Sequence, residues 1–463
     1  MNRTLPLILA VALFMEQMDS TVISTSLPAI AADIGTSPVA LKLALTAYLV
    51  SLAIFIPISS WMADKFGAKR VFRTAIAVFV VGSVLCAVSG SLVAFVLSRF
   101  LQGMGGAMMT PVARLVLVRS TPKRELVSAM AWLTIPALVG PLVGPPVGGF
   151  ITTFFTWHWI FLINVPIGLL GILLAGRVLP DIEPTGAAPI DTAGFLLSAI
   201  AASGIVFGLS VVSLPALPPW IGLVTLAIGA LSGLVYLRHS RRAANPLLNL
   251  RLFANPVFRA AISGGSLFRI GSGAVPFLLP LMLQLGFGLT PFQSGMLTFA
   301  SAVGALAMKF LAPVTLRAGG FRNVLTLAAV CGGIFIAANA FFTPQTPPGV
   351  IILVLLGAGF LRSLFFTSAN ALVFADIEAD DVSQATAISA VSQQISVALG
   401  VAVAGGILEA STYFSGGHLG LASFSAAFLI VAAVTALSVL PFLGLARDAG
   451  SSVSGHGMQK PAE

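Results

Sequence analysis

Residues 126–153 read LVSAMAWLTIPALVGPLVGPPVGGFITT, an apolar run without a single charged side chain. About 20 such residues suffice to carry an α-helix across roughly 30 Å of hydrocarbon. The glycines and prolines inside the run fit that setting, because both are more frequent in membrane helices than in soluble ones. The rest of the chain has the same character. Of its 463 residues, 57% are hydrophobic and 8% charged, with 46 glycines and 28 prolines, against about 25% charged residues in globular domains. This excludes a soluble enzyme, a disulfide scaffold, a coiled coil and a disordered chain. The sequence is that of an all-α polytopic membrane protein.

The net charge of +9 would suggest a nucleic-acid partner in a soluble chain. In a membrane protein it is topological, since lysine and arginine collect in cytoplasmic loops. Cys86 and Cys331 both lie in apolar runs and fit packing thiols. The four histidines form no metal-binding pattern.

Fourteen spans are expected, near 5–27, 41–62, 71–90, 92–117, 126–153, 157–178, 191–212, 218–237, 259–284, 291–314, 321–342, 348–374, 383–408 and 420–445. The first carries Glu16, Gln17 and Asp19 where a signal peptide would be apolar. Most of the 24 lysines and arginines fall on one side if the N-terminus is inside, whereas Lys42 falls outside. Both termini are therefore expected in the cytoplasm. The economical division is an N-terminal six-helix half over 1–184, two inserted helices over 185–245, and a C-terminal six-helix half with a short cytoplasmic tail over 246–463. An acidic, proline-bearing linker at 180–190 separates the first two parts. Gly144 and Gly149 recur as Gly400 and Gly405 in the other half, both pairs five apart.

Charges at the bilayer centre cost about 2.5–3.5 kcal/mol on insertion scales, so ionisable residues inside spans are functional candidates by default. At a rise of roughly 1.5 Å per residue, Glu16, Asp19, Arg99, Arg269 and Arg362 all fall about 15–21 Å from the cytoplasmic end. Glu16 and Asp19, at i and i+3, share a helix face. Two carboxylates that close do not both ionise readily in a poorly hydrated cavity, and a titrating acid at mid-depth is what proton coupling requires. The competing reading is a permanent structural ion pair between Asp19 and Arg99. Arg269 and Arg362, with the amides Gln102 and Gln284, are candidates to line a substrate cavity, to neutralise the acids, or to reach toward water.

Within 136–149, Gly140, Gly144 and Gly148 lie four apart and form a bare helix stripe that admits a neighbouring backbone. Pro141, Pro145 and Pro146 interrupt the hydrogen-bond ladder of the same helix. Together with Gly149 they point to a bent pivot. After the second span, Asp64, Gly67, Lys69 and Arg70 combine an acid, a glycine turn and a basic cluster that could latch helix ends. Trp157-His158-Trp159 reads as an interfacial aromatic belt. Asp376, Glu378, Asp380 and Asp381 read as a solvated acidic loop, and residues 450–463 as a disordered tail.

These stretches together resemble the major facilitator superfamily, and within it the fourteen-helix drug:proton antiporter family of the EmrB/QacA type. Asp64-Lys65-Phe66-Gly67-Ala68-Lys69-Arg70 is similar to the family's loop 2–3 signature, with Ser60 where glycine is usual and Ala68 where arginine is frequent. The run Leu97–Ala107 (LSRFLQGMGGA) resembles the span 4 signature, whose arginine the family ties to proton coupling and which corresponds to Arg99. Gly140-Pro141 through Gly148-Gly149 resembles the antiporter signature of span 5. Met18–Pro28 (MDSTVISTSLP) resembles the span 1 motif, whose acid is Asp19. Residues 157–166 and 279–284 resemble the MdtD/HsrA-like branch. The matching loop of the second half, 316–322, keeps glycine and bases but lacks the acid, and Glu16 lies outside the family pattern.

The resemblance implies the major facilitator fold, two six-helix bundles plus two inserted helices. It implies a proton-coupled exporter of drugs or other small amphipathic organic compounds, working as a monomer in the cytoplasmic (inner) membrane, with accessory efflux proteins as possible partners. The proton gradient would drive it, with no cofactor, metal or catalysed reaction. The alternative is export of an endogenous metabolite or organic anion held by Arg269 and Arg362. No nucleotide-binding P-loop is present in the sequence, which argues against ATP drive.

Overall fold

The computed structural model describes residues 4–122, 125–181, 189–214, 217–378, 381–414, 419–446 and 448–454. Most of the expected linker at 180–190, Asp380 and most of the expected tail lie outside them. Among the described residues every regular element is helical. The long helices are α1 (Thr4–Val22), α2 (Lys42–Phe55), α3 (Ala68–Ala87), α4 (Leu92–Ser120), α5 (Leu126–Phe154), α6 (Asn164–Val178) and α7 (Thr192–Val212). They continue as α8 (Pro219–Arg242), α9 (Pro256–Leu281), α10 (Pro291–Ala338), α11 (Pro348–Leu372), α12 (Val382–Phe414) and α13 (Leu421–Leu437).

Thirteen helices among the described residues are long and apolar enough to cross a membrane. The span expected near 291–314 is not among those thirteen. It is helical, but as the leading arm of α10, which continues to Gly320 (φ 67°, ψ 166°), the point where the chain turns into the second arm.

Local chemistry sets the helix ends. The Ser91 hydroxyl caps α4 by accepting from Ala94 N, and the Asp191 carboxylate caps α7 by accepting from Gly194 N. Asn255 caps α9 by accepting from both Val257 N and Phe258 N, ahead of Pro256 in the first turn. Such a cap contributes about 1 kcal/mol, so Asn255→Ala is expected to lower the thermal midpoint of the purified protein by a few degrees. Asn255→Asp should keep it, as read by a melting curve in detergent.

By its contacts the chain divides into two units, residues 1–236 with 283–296, and residues 237–282 with 297–463. In the first unit α7 joins α2, where Lys42 Nζ donates to Ser213 Oγ at 2.8 Å. Gly204 and Gly229 let α7 and α8 approach backbone to backbone.

Glycine also decides the packing of α1. A Cβ at Gly140 would stand 2.9 Å from Met18 N, one at Gly144 would overlap Thr21 Oγ1, and one at Gly148 would overlap the Val22 carbonyl. The stripe read from the sequence is thus the groove in which α1 lies. α5 runs as one helix across Pro136, Pro141, Pro145 and Pro146. Gly149 turns from that groove to the 291–292 backbone, and Gly295 returns the approach toward the Pro145 carbonyl. In the second unit Gly400 on α12 meets the Ile270 carbonyl of α9 just as closely. The faint echo between Gly144 and Gly400 therefore marks the same device in each unit, a bare helix face admitting a neighbour's backbone.

Candidate functional site: a buried carboxylate cluster

α1, α3, α4 and the start of α6 each bring polar side chains to one point in the first unit. Gly103 faces the Tyr48 carbonyl, Gly82 faces the Gln102 backbone, and Gly105 faces Phe79 N, so α4 sits close against both α2 and α3. At that depth Asp19 is fully buried and Arg99 is 1% exposed. Arg99 Nη1 donates to Asp19 Oδ2 at 2.7 Å. Gln102 Nε2 and Asn164 Nδ2 both donate to Asp19 Oδ1 at 2.8 Å. The same two amides donate to Ser83 Oγ, at 2.8 and 3.2 Å, and Arg99 also donates to Gln102 Oε1. The guanidinium lies over the Tyr48 ring, 4.2 Å from its centroid, a cation–π contact.

Three helices therefore meet at one carboxylate, and Ser83 of α3 joins them through the two amides. The pair is neutral overall while Asp19 is ionised, which makes its burial tolerable. Breaking such a pair by removing one partner costs about 3–5 kcal/mol, since it leaves an uncompensated buried charge. A proton on Asp19 would do the same chemically. It would silence the acceptor that Arg99, Gln102 and Asn164 share and leave Arg99 with an unbalanced positive charge. The cluster thus fastens α1 to its neighbours.

Glu16 stands apart from this cluster. It is nearly buried, and its Oε2 accepts from Thr110 Oγ1 at 3.0 Å. Gly106 leaves the room between Glu16 and the Tyr48 hydroxyl. The two acids predicted on one face of α1 thus meet different residues of α4, eight to eleven positions apart in the sequence.

The remaining candidates are placed as follows. Gln102 is fully buried, with its amide spent on Asp19 and Ser83 and its carbonyl on Arg99. Gln284 Nε2 donates to the Thr25 carbonyl at 2.8 Å, which anchors the turn after α9 to the end of α1. In the second unit Arg269 is buried, donates to Asn370 Oδ1 at 2.7 Å and stacks on Phe366. Arg362, partly buried on α11, has no hydrogen bond or ion pair to any described residue.

At the helix ends, Arg119 Nη2 at the close of α4 donates to Asp64 Oδ1 at 2.8 Å. Gly67, at φ 87°, makes the turn that lets α3 start immediately afterwards. Lys69 pairs with the exposed Asp181 at 3.1 Å. Trp157 corrects the reading of an aromatic belt. It is buried among Phe95 and Phe161 and donates to Asp33, and Trp159 alone keeps an exposed ring.

Sequence reasoning singled out Asp19 and Arg99 and gave no role to Asn164, Ser83, Tyr48 or Thr110. Asn164 could have been found, since it is an amide in an apolar span. Serine and threonine are too common in membrane helices to stand out, and Tyr48 carries no charge to mark it.

The Major Facilitator Superfamily profile matches residues 9–401. Proteins named "Putative multidrug resistance protein MdtD" from Salmonella paratyphi B and Salmonella heidelberg are 34% identical over 451 residues, covering 95% of this chain and 94% of theirs. Among solved structures, a D-xylose–proton symporter superposes with a TM-score of 0.69 at 17% identity, over 96% of this chain and 98% of that one. The nucleoside transporter NupG gives 0.65 at 16% identity, over 96% and 98%. Those two likenesses speak to fold alone, and the fold they share is that of the matched family. Built from apolar spans around a buried ion pair, the chain belongs to the Major Facilitator Superfamily and is a multi-pass membrane transporter of small molecules.

Proposed function

We propose that the protein is a proton-driven exporter of small amphipathic, drug-like organic compounds, working by alternating access in the inner membrane with both termini cytoplasmic. The observation that carries this reading is Asp19, fully buried yet held by Arg99, Gln102 and Asn164 from two other helices. The similarity to proteins named for multidrug resistance supports the substrate class.

With Asp19 ionised, the cluster holds α1 against α3, α4 and α6. A proton arriving from outside neutralises Asp19. Arg99 is then a single charge in a low-dielectric site, and the helices must part to hydrate it. α1 moves along the glycine groove of α5 and carries the Gln284–Thr25 tie with it. Release of the proton to the cytoplasm resets the cluster. The membrane potential adds about 2.3 kcal/mol per charge per 100 mV to any net charge moved. Gln102 serves the carboxylate in this scheme and not the substrate. Glu16, with its own threonine partner, is a second proton site. The inserted helices α7 and α8 form a third part between two six-helix halves, and the transporter acts as a monomer.

Direction of flux tests the proposal. Everted vesicles with an acidified lumen should accumulate a lipophilic substrate from a panel, and a protonophore should abolish the accumulation. Expulsion of substrate from the acid lumen would identify an uptake symporter instead.

The Asp64–Arg119 pair is half-exposed, so its strength is about 0.2–1 kcal/mol. Asp64→Asn is therefore expected to slow export only a few-fold. Asp64→Arg with Arg119→Asp should restore the rate if the latch acts through charge.

A second reading has one observation in its favour. Arg269 is a buried cation with an amide and a ring as its partners, which suits an organic anion as substrate. Arg269→Gln or Arg362→Ala would then abolish anion export while sparing lipophilic cations.

A further inference from the structure

At one end of α3 and the facing end of α6 lies a cavity of about 520 Å³ lined by Lys69, Arg70, Arg73, Ile172, Gly176 and Asp181. We propose that this cavity binds the phosphate of an anionic phospholipid from the cytoplasmic leaflet.

Three observations carry the proposal. First, the charge is unbalanced among the described residues. Lys69, Arg70 and Arg73 all fall in the first two turns of α3, where the helix dipole is already positive and disfavours cations. Lys69 has Asp181, whose side chain is 88% exposed and easily displaced. Arg70 and Arg73 are exposed and have no hydrogen bond or ion pair to any described residue. An anion is the missing complement, and a phosphate accepts from two guanidinium groups and an ammonium at once.

Second, the cavity is shaped by the lack of a side chain. Gly168 and Gly171 seat α6 against Val80 and Ile76 of α3. Gly176 then leaves the space beside the Arg73 guanidinium, which a Cβ would approach to 3.2 Å.

Third, the cations open onto an apolar track. Above them on the same face of α3 follow Val81, Val84, Leu85 and Val88, all exposed, and α6 exposes Leu169, Leu170 and Leu173 beside it. Both helices are membrane spans, so the cavity lies where a span meets water, with hydrocarbon-facing side chains beyond it. A free phosphate would use only the cations, whereas a phospholipid uses the cations and the track together. Basic pockets between span ends on the cytoplasmic side suit anionic headgroups.

The test is native mass spectrometry of the detergent-purified protein equilibrated with phosphatidylglycerol, phosphatidylcholine or inorganic phosphate. Wild type is expected to retain one phosphatidylglycerol in preference to phosphatidylcholine. Arg70→Ala with Arg73→Ala should weaken that retention about thirtyfold. Gly176→Leu, which fills the cavity and leaves every charge in place, should abolish it. Arg242→Ala, an exposed arginine at the end of α8, should leave it unchanged. Equal retention by Gly176→Leu, or equal binding of phosphatidylcholine, would overturn the proposal. Displacement of phosphatidylglycerol by millimolar phosphate would also overturn it, by assigning the cavity to the free anion. None of these outcomes depends on the direction or substrate of transport, so the site and the proposed export stand or fall separately.

Discussion

Asp19→Asn is expected to reduce pH-driven export in everted vesicles to the leak rate of vesicles lacking the protein, with the variant still inserted and folded. The two results should separate because asparagine keeps much of the geometry. Its amide oxygen can still accept from Arg99 or Gln102, but it cannot exchange a proton. What it fails to provide is a negative charge for Arg99, and that shortfall resembles the protonated state permanently. The companion variant behaves differently. Arg99→Ala leaves Asp19 ionised among buried side chains, at a cost of about 3–5 kcal/mol, and should fold poorly. Adding Asp19→Asn to Arg99→Ala should recover much of that loss in a thermal melt, because the stranded charge is gone. Undiminished pH-driven export by Asp19→Asn would remove Asp19 from the coupling mechanism. A double variant no more stable than Arg99→Ala would show that charge is not what binds the cluster.

The second large effect lies in the α1–α5 groove. Gly148→Ala places a methyl against the Val22 carbonyl, whereas Gly144→Ala places one against the Thr21 hydroxyl. Overpacking of this kind costs about 1–3 kcal/mol, and both variants should melt earlier and export less. They should differ in rescue. Thr21→Ala removes the atom that Gly144→Ala strikes and should restore stability. No side-chain change in α1 relieves Gly148→Ala, because the obstacle is backbone. A rescue of Gly148→Ala by Thr21→Ala, or none of Gly144→Ala, would disprove the groove geometry.

Several features of the site were legible in the sequence because they break the apolar pattern. An acid or an arginine inside a span is conspicuous, and counting residues along their spans puts Asp19 and Arg99 at matching depth. Their direct pairing is the geometry of the structural ion pair considered at the outset, and it is also what makes a proton on Asp19 consequential. The glycine stripe was legible for a related reason, since three glycines four apart can only mean a bare helix face. Which helix fills that face is not a local property. The sequence could not say that α1, the helix bearing Asp19, lies there. Gln284 shows the opposite failure. An amide near a span end looked like a cavity residue, yet it caps a carbonyl left open at Thr25, and no pattern in its own neighbourhood announces that.

Helical structure, repeated membrane crossings and a few costly charges at mid-depth can all be read from the amino-acid order alone. Those conclusions follow from composition and period, because the bilayer penalises every unsatisfied backbone group and exposed charge in the same way along the chain. Helix packing settles which charges meet. It joined Asp19 to Arg99, Gln102 and Asn164, set Glu16 against Thr110, and gave Arg269 an amide for a partner. Side chains on different helices find one another through the close approaches that glycine permits, and those approaches depend on rotation and register that no single span encodes.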